Sequence, residues 1–373
     1  MSETVQIGVG KTGRRGYGFS DIAVVPDRRT RDAGDADVSW RIDAYDFTLP
    51  FIGAPMDSAA SPETVIALGR AGGLGVLDLE GLWTRYEDPG DAYRRIREAT
   101  DDQAGRVLQE VYAEPVKAEL ITARLAEIRA AGVTVAGALS PQRTQQFYQT
   151  VLDAGVDLFV IRGTTVSAEH VSSTAEPLNL KKFIYELDVP VIVGGAGTYT
   201  TALHLMRTGA AGVLAGFGGG ATSSSLRTLG LRTPMATAVA DVAGARRDYL
   251  DESGGRYVHV IADGSLGHAG DIPKAFACGA DAVMLGTALA RANEAPGGGY
   301  HWGAEARHQR LPRGRRVPVG SVGPLEQVLF GPAHDATGTT NLVGALQKSM
   351  ATTGYTDLKE FQKVAVTVSH YEA

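Results

Sequence analysis

One cysteine, Cys278, in 373 residues leaves no partner for an internal disulfide and too few thiols for a multi-cysteine metal site. Long apolar runs are missing too. None approaches the length needed to cross a bilayer, and the opening MSETVQIGVGKTGRRGYG has no continuous apolar core, so it does not read as a secretory signal. These absences make the cytoplasm the expected location. Charge of one sign is not in great excess either. A net charge of −6 favours solubility and gives no reason to expect nucleic acid as a partner. What the chain has in quantity is glycine, 47 residues, which suits a fold with many sharp strand-to-loop junctions. The length fits one large α/β barrel or two ordinary domains.

Short apolar runs alternate with helical patterns from about residue 50 to 290. PFIGAP (50–55), LGVLDL (74–79), VTVAGAL (133–139), DLFVIRG (157–163), PVIVGG (190–195), GVLAGF (212–217), VHVIAD (258–263) and AVMLGT (282–287) are near-continuous rather than alternating. A strand buried on both faces of a parallel sheet has this character. Gly132, Gly155, Gly209 and Gly279 sit where helices should end in a left-handed residue. Eight such units in one series predict a closed (β/α)8 TIM barrel. An open doubly wound sheet would call for GxGxxG after the first strand with an acidic residue about 20 positions beyond the motif, and no such combination is present. Residues 1–49, with the apolar stretch DIAVVP, form an extension before the barrel. Residues 84–131 read as two helical runs. The segment 297–320 is rich in Gly, Arg and His and reads as a long loop or flap, followed by a C-terminal segment, 321–373.

Three motifs carry chemistry. The run VHVIADGSLGHAGDIPKAFACGADAVMLGTALA ends one strand in Asp263-Gly264-Ser265 and the next in Gly286-Thr287. Glycines there let backbone N–H groups face a phosphate, the helix start at Gly270-Asp271 adds partial positive charge, and Asp263 can accept from ribose hydroxyls. Tight turns with no ligand are the plainer explanation. The run Gly216 to Ser225 (GFGGGATSSS) can wrap an anion with amides and hydroxyls, or be a solvated linker. Met56, in GAPMDSA, can lie against a flat base, although methionine is more often core filler. Arg307, His308, Arg310, Arg313, Arg315 and Arg316 crowd the flap, either as a solvated basic loop or as a cover drawing an anion over the barrel mouth.

Together, APMD at 54–57, GRAGGLGVL at 69–77, GFGGGATSS at 216–224, ADGSLGHAGDIPKAFACGADAVMLGT at 262–287 and LVGALQKSMATTGY at 342–355 resemble the IMP dehydrogenase / GMP reductase family over nearly the whole chain. The likeness is greater to its short, dehydrogenase-related paralogues, since residues 84–131 are too short for a pair of cystathionine-β-synthase-type modules. The resemblance implies a purine 5′-monophosphate. Asp263 would hold the ribose, the amides of Gly220, Ala221, Gly264, Ser265, Gly286 and Thr287 the phosphate, and Met56 the base. It further implies NAD or NADP as cofactor, a monovalent cation, and a homotetramer.

The departures bear on activity. The family's catalytic loop reads GxGxGSxCTT. Its cysteine position is Ser223 here and its phosphate-contacting serine position is Ala221. A serine hydroxyl without a base is a far weaker nucleophile than a thiolate. The acidic residue that dehydrogenases place beside the nicotinamide is Arg162, and YRGMGS is matched loosely by HWGAEA (301–306), where Glu305 is a candidate acid. Cys278, in a helix C-terminal turn, reads as a small buried hydrophobe. Three functions therefore compete. One is an oxidoreductase interconverting purine nucleotides, weak or inactive as an ordinary IMP dehydrogenase. Another is a catalytically silent nucleotide-binding regulator. The third is an FMN-binding barrel, which a colourless purified protein would dispose of.

Overall fold

The computed structural model describes residues 3–173 and 177–369. Eight parallel strands close a barrel in sequence order: β1 (Phe51–Gly53), β2 (Leu74–Asp78), β3 (Ala136–Leu139), β4 (Leu158–Arg162), β5 (Val191–Ala196), β6 (Gly212–Ala215), β7 (His259–Asp263) and β8 (Ala282–Leu285). Closure is made where β1 pairs on one side with β2, Gly53 opposite Gly75, and on the other with β8, Gly53 opposite Leu285. All eight apolar runs are strands. Most are shorter than the run that signals them, because buried loop residues at the ends are apolar too.

Alternation along each strand sorts residues into two cores. Leu158 and Val160 point into the barrel with Ile52, Leu74, Val76, Ile192, Leu214 and Ile261. Phe159 and Ile161 point outward into the layer shared with the helices. Trp40, Ile42 and Phe47 belong to the inner cluster. They come from an antiparallel hairpin, Trp40–Ile42 with Tyr45–Phe47, that plugs the amino-terminal end. The turn is tight enough to hold Asp43 at φ 53. Removing a ring such as Phe159, which is wholly buried, would cost about 3–5 kcal/mol.

The connecting helices begin where capping chemistry places them. Ser61 accepts from Thr64 N–H ahead of α1 (Pro62–Arg70), and Ser140 accepts from Arg143 N–H ahead of α5 (Pro141–Asp153), each with proline in the first turn. Between β2 and β3 run three helices, α2 (Gly90–Glu98), α3 (Ala104–Val111) and α4 (Ala118–Ala130), where the pattern suggested two. The short break at 99–103 is polar on both sides and leaves no gap in the periodicity. Next come α6 (Leu180–Tyr185), α7 (Tyr199–Met206), α8 (Ser225–Leu229), α9 (Met235–Glu252) and α10 (Asp271–Ala277). Gly132, Gly155, Gly209 and Gly279 all have φ between +74 and +104 just past a helix, as expected of C′ residues.

The chain ends with α11 (Leu325–Phe330), α12 (Leu342–Thr352) and α13 (Leu358–Phe361), and a strand Val366–Val368 that pairs antiparallel with Ile22–Val24 of the DIAVVP stretch. A two-stranded hairpin, Thr4–Gly8 with Lys11–Arg14, lies exposed ahead of the barrel. The flap is more ordered than a loop. Tyr300–His301 pairs with Val317–Pro318, and a 3-10 turn, Ala304–Arg307, lies between them. No described helix is long and apolar enough to cross a membrane.

Candidate functional site

The carboxyl-terminal ends of the strands open into a cleft of about 700 Å³. Its walls are the loops after β1, β4, β6, β7 and β8, with the flap closing one side. Of the residues singled out in the sequence, Met56, Arg162, Gly220, Ser223, Asp263, Gly264, Ser265, Gly286, Thr287 and Glu305 all line it. Ala221 does not. It is exposed, and its neighbour Thr222 is the buried residue that faces inward.

Backbone conformation brings the glycine loops together. Gly264 has φ +126 and Ser265 has φ +55, a turn that only glycine enters freely at the first position. The Ser265 hydroxyl then donates to the Gly219 carbonyl at 2.7 Å, joining the β7 loop to the β6 loop. At Gly286 the need is for close approach. A Cβ there would stand 3.0 Å from Met56 Sδ and 3.3 Å from His301 Nε2. Gly270 and Asp271, at the start of the seven-residue helix α10, are not among the residues lining the cleft, and the Asp271 carboxylate accepts from His268 N–H at 3.1 Å.

Asp263 is not free. Arg162 Nε donates to its Oδ2 at 3.0 Å and Arg162 Nη2 lies 3.4 Å from Oδ1. Burial opposes the charge of Arg162, but Asp263 and then Glu305 outweigh it and raise its pKa. The Arg162 guanidinium is therefore a fixed cation on the cleft wall. Among the described residues no base is hydrogen-bonded to Ser223. Its hydroxyl lies 3.4 Å from Ser225 Oγ and accepts from Ser225 N–H at 3.3 Å. The loop carrying it is stitched to the flap: Ser224 N–H donates to Arg313 O at 2.8 Å and Arg315 N–H to Thr222 O at 2.9 Å. Cys278 is packed against the outer core, and burial pushes its thiol up to about 12. Burial thus disfavours the thiolate there at neutral pH.

Beside the cleft lies a wider groove of about 2370 Å³, sharing Arg162, Gly163, Thr164 and Glu305 as a common wall and lined further out by Arg143, Arg310 and Arg313. Thr164 Oγ1, in that shared wall, is buried with no partner among the described residues.

The sequence pattern did not reveal a charged cluster under the flap. Arg307 Nη1 pairs with Asp78 at 2.9 Å and lies 3.8 Å from Asp57. Asp57 Oδ2 accepts from Tyr112 OH at 2.5 Å and from Leu82 N–H at 2.9 Å, while Oδ1 has no partner among the described residues. Burial, then the nearby Asp78 carboxylate, pushes Asp57 up to about 7 against the pull of Arg307. Arg316 is buried too. It lies over the Tyr300 ring at 4.1 Å and donates to Ile96 O at 2.5 Å. Two of the six basic flap residues are thus fastenings rather than bait for an anion. His301, at the flap's first strand, is 2% exposed and contacts Ser58.

Comparison with known proteins places this geometry. Residues 16–314 match the IMP dehydrogenase / GMP reductase domain. The chain is 53% identical to an uncharacterized oxidoreductase of Mycolicibacterium smegmatis, over 98% of this chain and 99% of that one. It is 25% identical to the inosine-5′-monophosphate dehydrogenase of Methanocaldococcus jannaschii, over 94% of this chain and 92% of that one. The crystal structure of an IMP dehydrogenase/GMP reductase-like protein from Corynebacterium glutamicum superposes with a TM-score of 0.93 at 51% identity, covering 98% and 97% of the two chains. With more than two thirds of its length matched at this level, the chain belongs to the IMP dehydrogenase / GMP reductase family.

Proposed function

We propose that the cleft binds a purine 5′-monophosphate, and that the protein is an IMP dehydrogenase-related oxidoreductase with little or no IMP oxidation by the family's thiolate route. The supporting observation is the convergence of Gly219, Gly220, Gly264, Ser265, Gly286 and Thr287 on one cleft whose far wall carries Asp263. Backbone N–H groups gathered this way suit a phosphate, and a carboxylate with lone pairs left over from Arg162 suits ribose hydroxyls. Met56, between Gly286 and Gly303, offers a soft apolar face to a base.

The groove beside the cleft fits a nicotinamide dinucleotide. Arg143, Arg310 and Arg313 supply cations for its diphosphate, and the orphaned Thr164 hydroxyl supplies a partner at the shared wall. When bound, such a cofactor gives or takes a hydride. Arg162 sets the preference between its forms, because a fixed cation repels an oxidised, positively charged ring and tolerates a neutral reduced one. Any turnover should therefore run in the reductive direction, with a GMP-type nucleotide. Ser223 attacks poorly, since the hydrogen bonds of its hydroxyl go to Ser225 and not to a base. That same observation favours the second reading, a nucleotide-binding regulator. Assembly as a homotetramer completes the proposal and is checked by light scattering.

The test follows nicotinamide absorbance in both directions with IMP, XMP and GMP and each cofactor, beside a thermal-shift screen of the same nucleotides. Stabilisation by a purine 5′-monophosphate with little NAD reduction is expected. Robust NAD reduction with IMP, abolished by Ser223→Ala, overturns the reading of the loop.

A further inference from the structure

His301 brings a nitrogen to the cleft whose protonation the surrounding hydrogen bonds decide. Its Nδ1 lies 2.7 Å from Ser58 Oγ. A serine hydroxyl has one proton and two lone pairs. Ser58 Oγ accepts from Trp302 N–H at 3.1 Å and donates to the Trp302 carbonyl at 2.9 Å. Its proton is spent, so its remaining lone pair accepts from His301. The ring proton therefore sits on Nδ1, and Nε2 is a bare acceptor beside Gly286. It makes no hydrogen bond among the described residues.

The charged groups around it do not change that assignment. Burial, and then Arg291 from the turn after β8, hold the ring neutral, with its pKa down at about 3. Arg162, Asp263 and Glu305 line the same cleft further off. A bare imidazole nitrogen and a phosphate dianion present only lone pairs to each other. They can meet only with a proton between them, carried on Nε2 or on a phosphate oxygen. Either placement counts as the same bound proton.

We propose that the ligand's phosphate binds with uptake of one proton, held between His301 Nε2 and a phosphate oxygen, with Ser58 as the positioning residue that enforces this by fixing the ring tautomer. The proton comes from solvent, and no bond to phosphorus forms or breaks. The proposal rests on the placement of phosphate at Gly286 and Thr287 argued above. It predicts that affinity for a 5′-monophosphate falls about tenfold per pH unit above the second ionisation of the phosphate, roughly pH 6. Affinity for the parent nucleoside should not change.

The experiment is titration calorimetry of the full chain at one neutral pH, in buffers of different ionisation enthalpy, with IMP, inosine and inorganic phosphate as probes. Wild type should take up close to one proton with IMP and none with inosine. His301→Gln keeps a neutral donor and removes the titrating nitrogen, so its uptake should fall to near zero while IMP still binds within about tenfold. Ser58→Ala frees the ring to carry its proton on Nε2, and should also lower uptake. It gives the same readout should His301→Gln fail to fold. Binding of IMP without uptake, or equal uptake in wild type and His301→Gln, overturns the proton linkage and leaves the purine reading standing. If only inorganic phosphate binds, with an uptake that His301→Gln removes, the linkage stands and the purine reading falls. Binding of neither probe overturns both.

Discussion

Each end of the barrel holds a buried aspartate, and the two are treated in opposite ways. Asp281, just before β8 at the plugged end, accepts from Arg246 at 2.7 Å, Lys359 at 2.6 Å, Tyr257 OH at 2.7 Å and Val260 N–H at 2.8 Å. Burial works against its charge, but Arg246 and Lys359 win and lower it to about 2. Asp57, under the flap, shares one guanidinium with Asp78, leaves Oδ1 unpartnered among the described residues and is raised to about 7. One end sets two cations against one carboxylate. The other keeps one carboxylate more than its cation can neutralise. The plugged end keeps its acid ionised, and the open end holds an under-compensated acid beside the flap.

Substitutions can break this contrast. The largest effect is expected from Asp281→Asn, which leaves the buried Arg246 short of its anion and should cost about 3–5 kcal/mol in urea unfolding at neutral pH. A change below the error of the melt would mean that the cluster is incidental to stability. Asp263→Ala at the open end should weaken a purine 5′-monophosphate by about 1.5–3 kcal/mol, as read by calorimetry, and should also lower the melting point, because it leaves Arg162 without its partner. Unchanged affinity would remove Asp263 from the site.

A smaller effect separates the two aspartates by pH. The folded-state pKa of Asp57 lies above its unfolded value, so its contribution to stability is full in acid and is lost as pH rises through about 7. Wild type should therefore lose melting temperature relative to Asp57→Asn between about pH 4 and pH 7, and the two curves should run parallel above that. Curves parallel across that window as well would show that Asp57 is ionised throughout. The smallest effect concerns the flap. IMP should slow trypsin cleavage after the exposed Arg310 and Arg315, and equal digestion with and without nucleotide would count against a cover.

Much of this was legible beforehand, for specific reasons. Strands buried on both faces must be apolar throughout, so the eight runs declared themselves, and glycine marked the helix ends because the left-handed residue there costs other side chains energy. The cleft residues were legible by resemblance, and ten of the eleven lie together. Ala221, singled out for its backbone amide, is the one that does not line the cleft, and its neighbour Thr222 does. Pairings across long separations were not legible. Arg162 and Asp263 are 101 residues apart, Arg307 and Asp78 are 229 apart, and no periodicity relates them. The short ribbons formed by Tyr300–His301 with Val317–Pro318 and by Ile22–Val24 with Val366–Val368 escape notice for the same reason, since each partner alone is too brief to signal a strand.

The two backbone bonds between the flap and the Ser223 loop have a mechanical meaning. They make the loop and the flap a single lever rather than two independent gates. A fluorophore on the exposed tip near Arg310 would then report on the ordering of Ser223, several residues away from anything it touches. Selection acting on the flap to admit a different guest would, through the same two bonds, retune the loop beneath it.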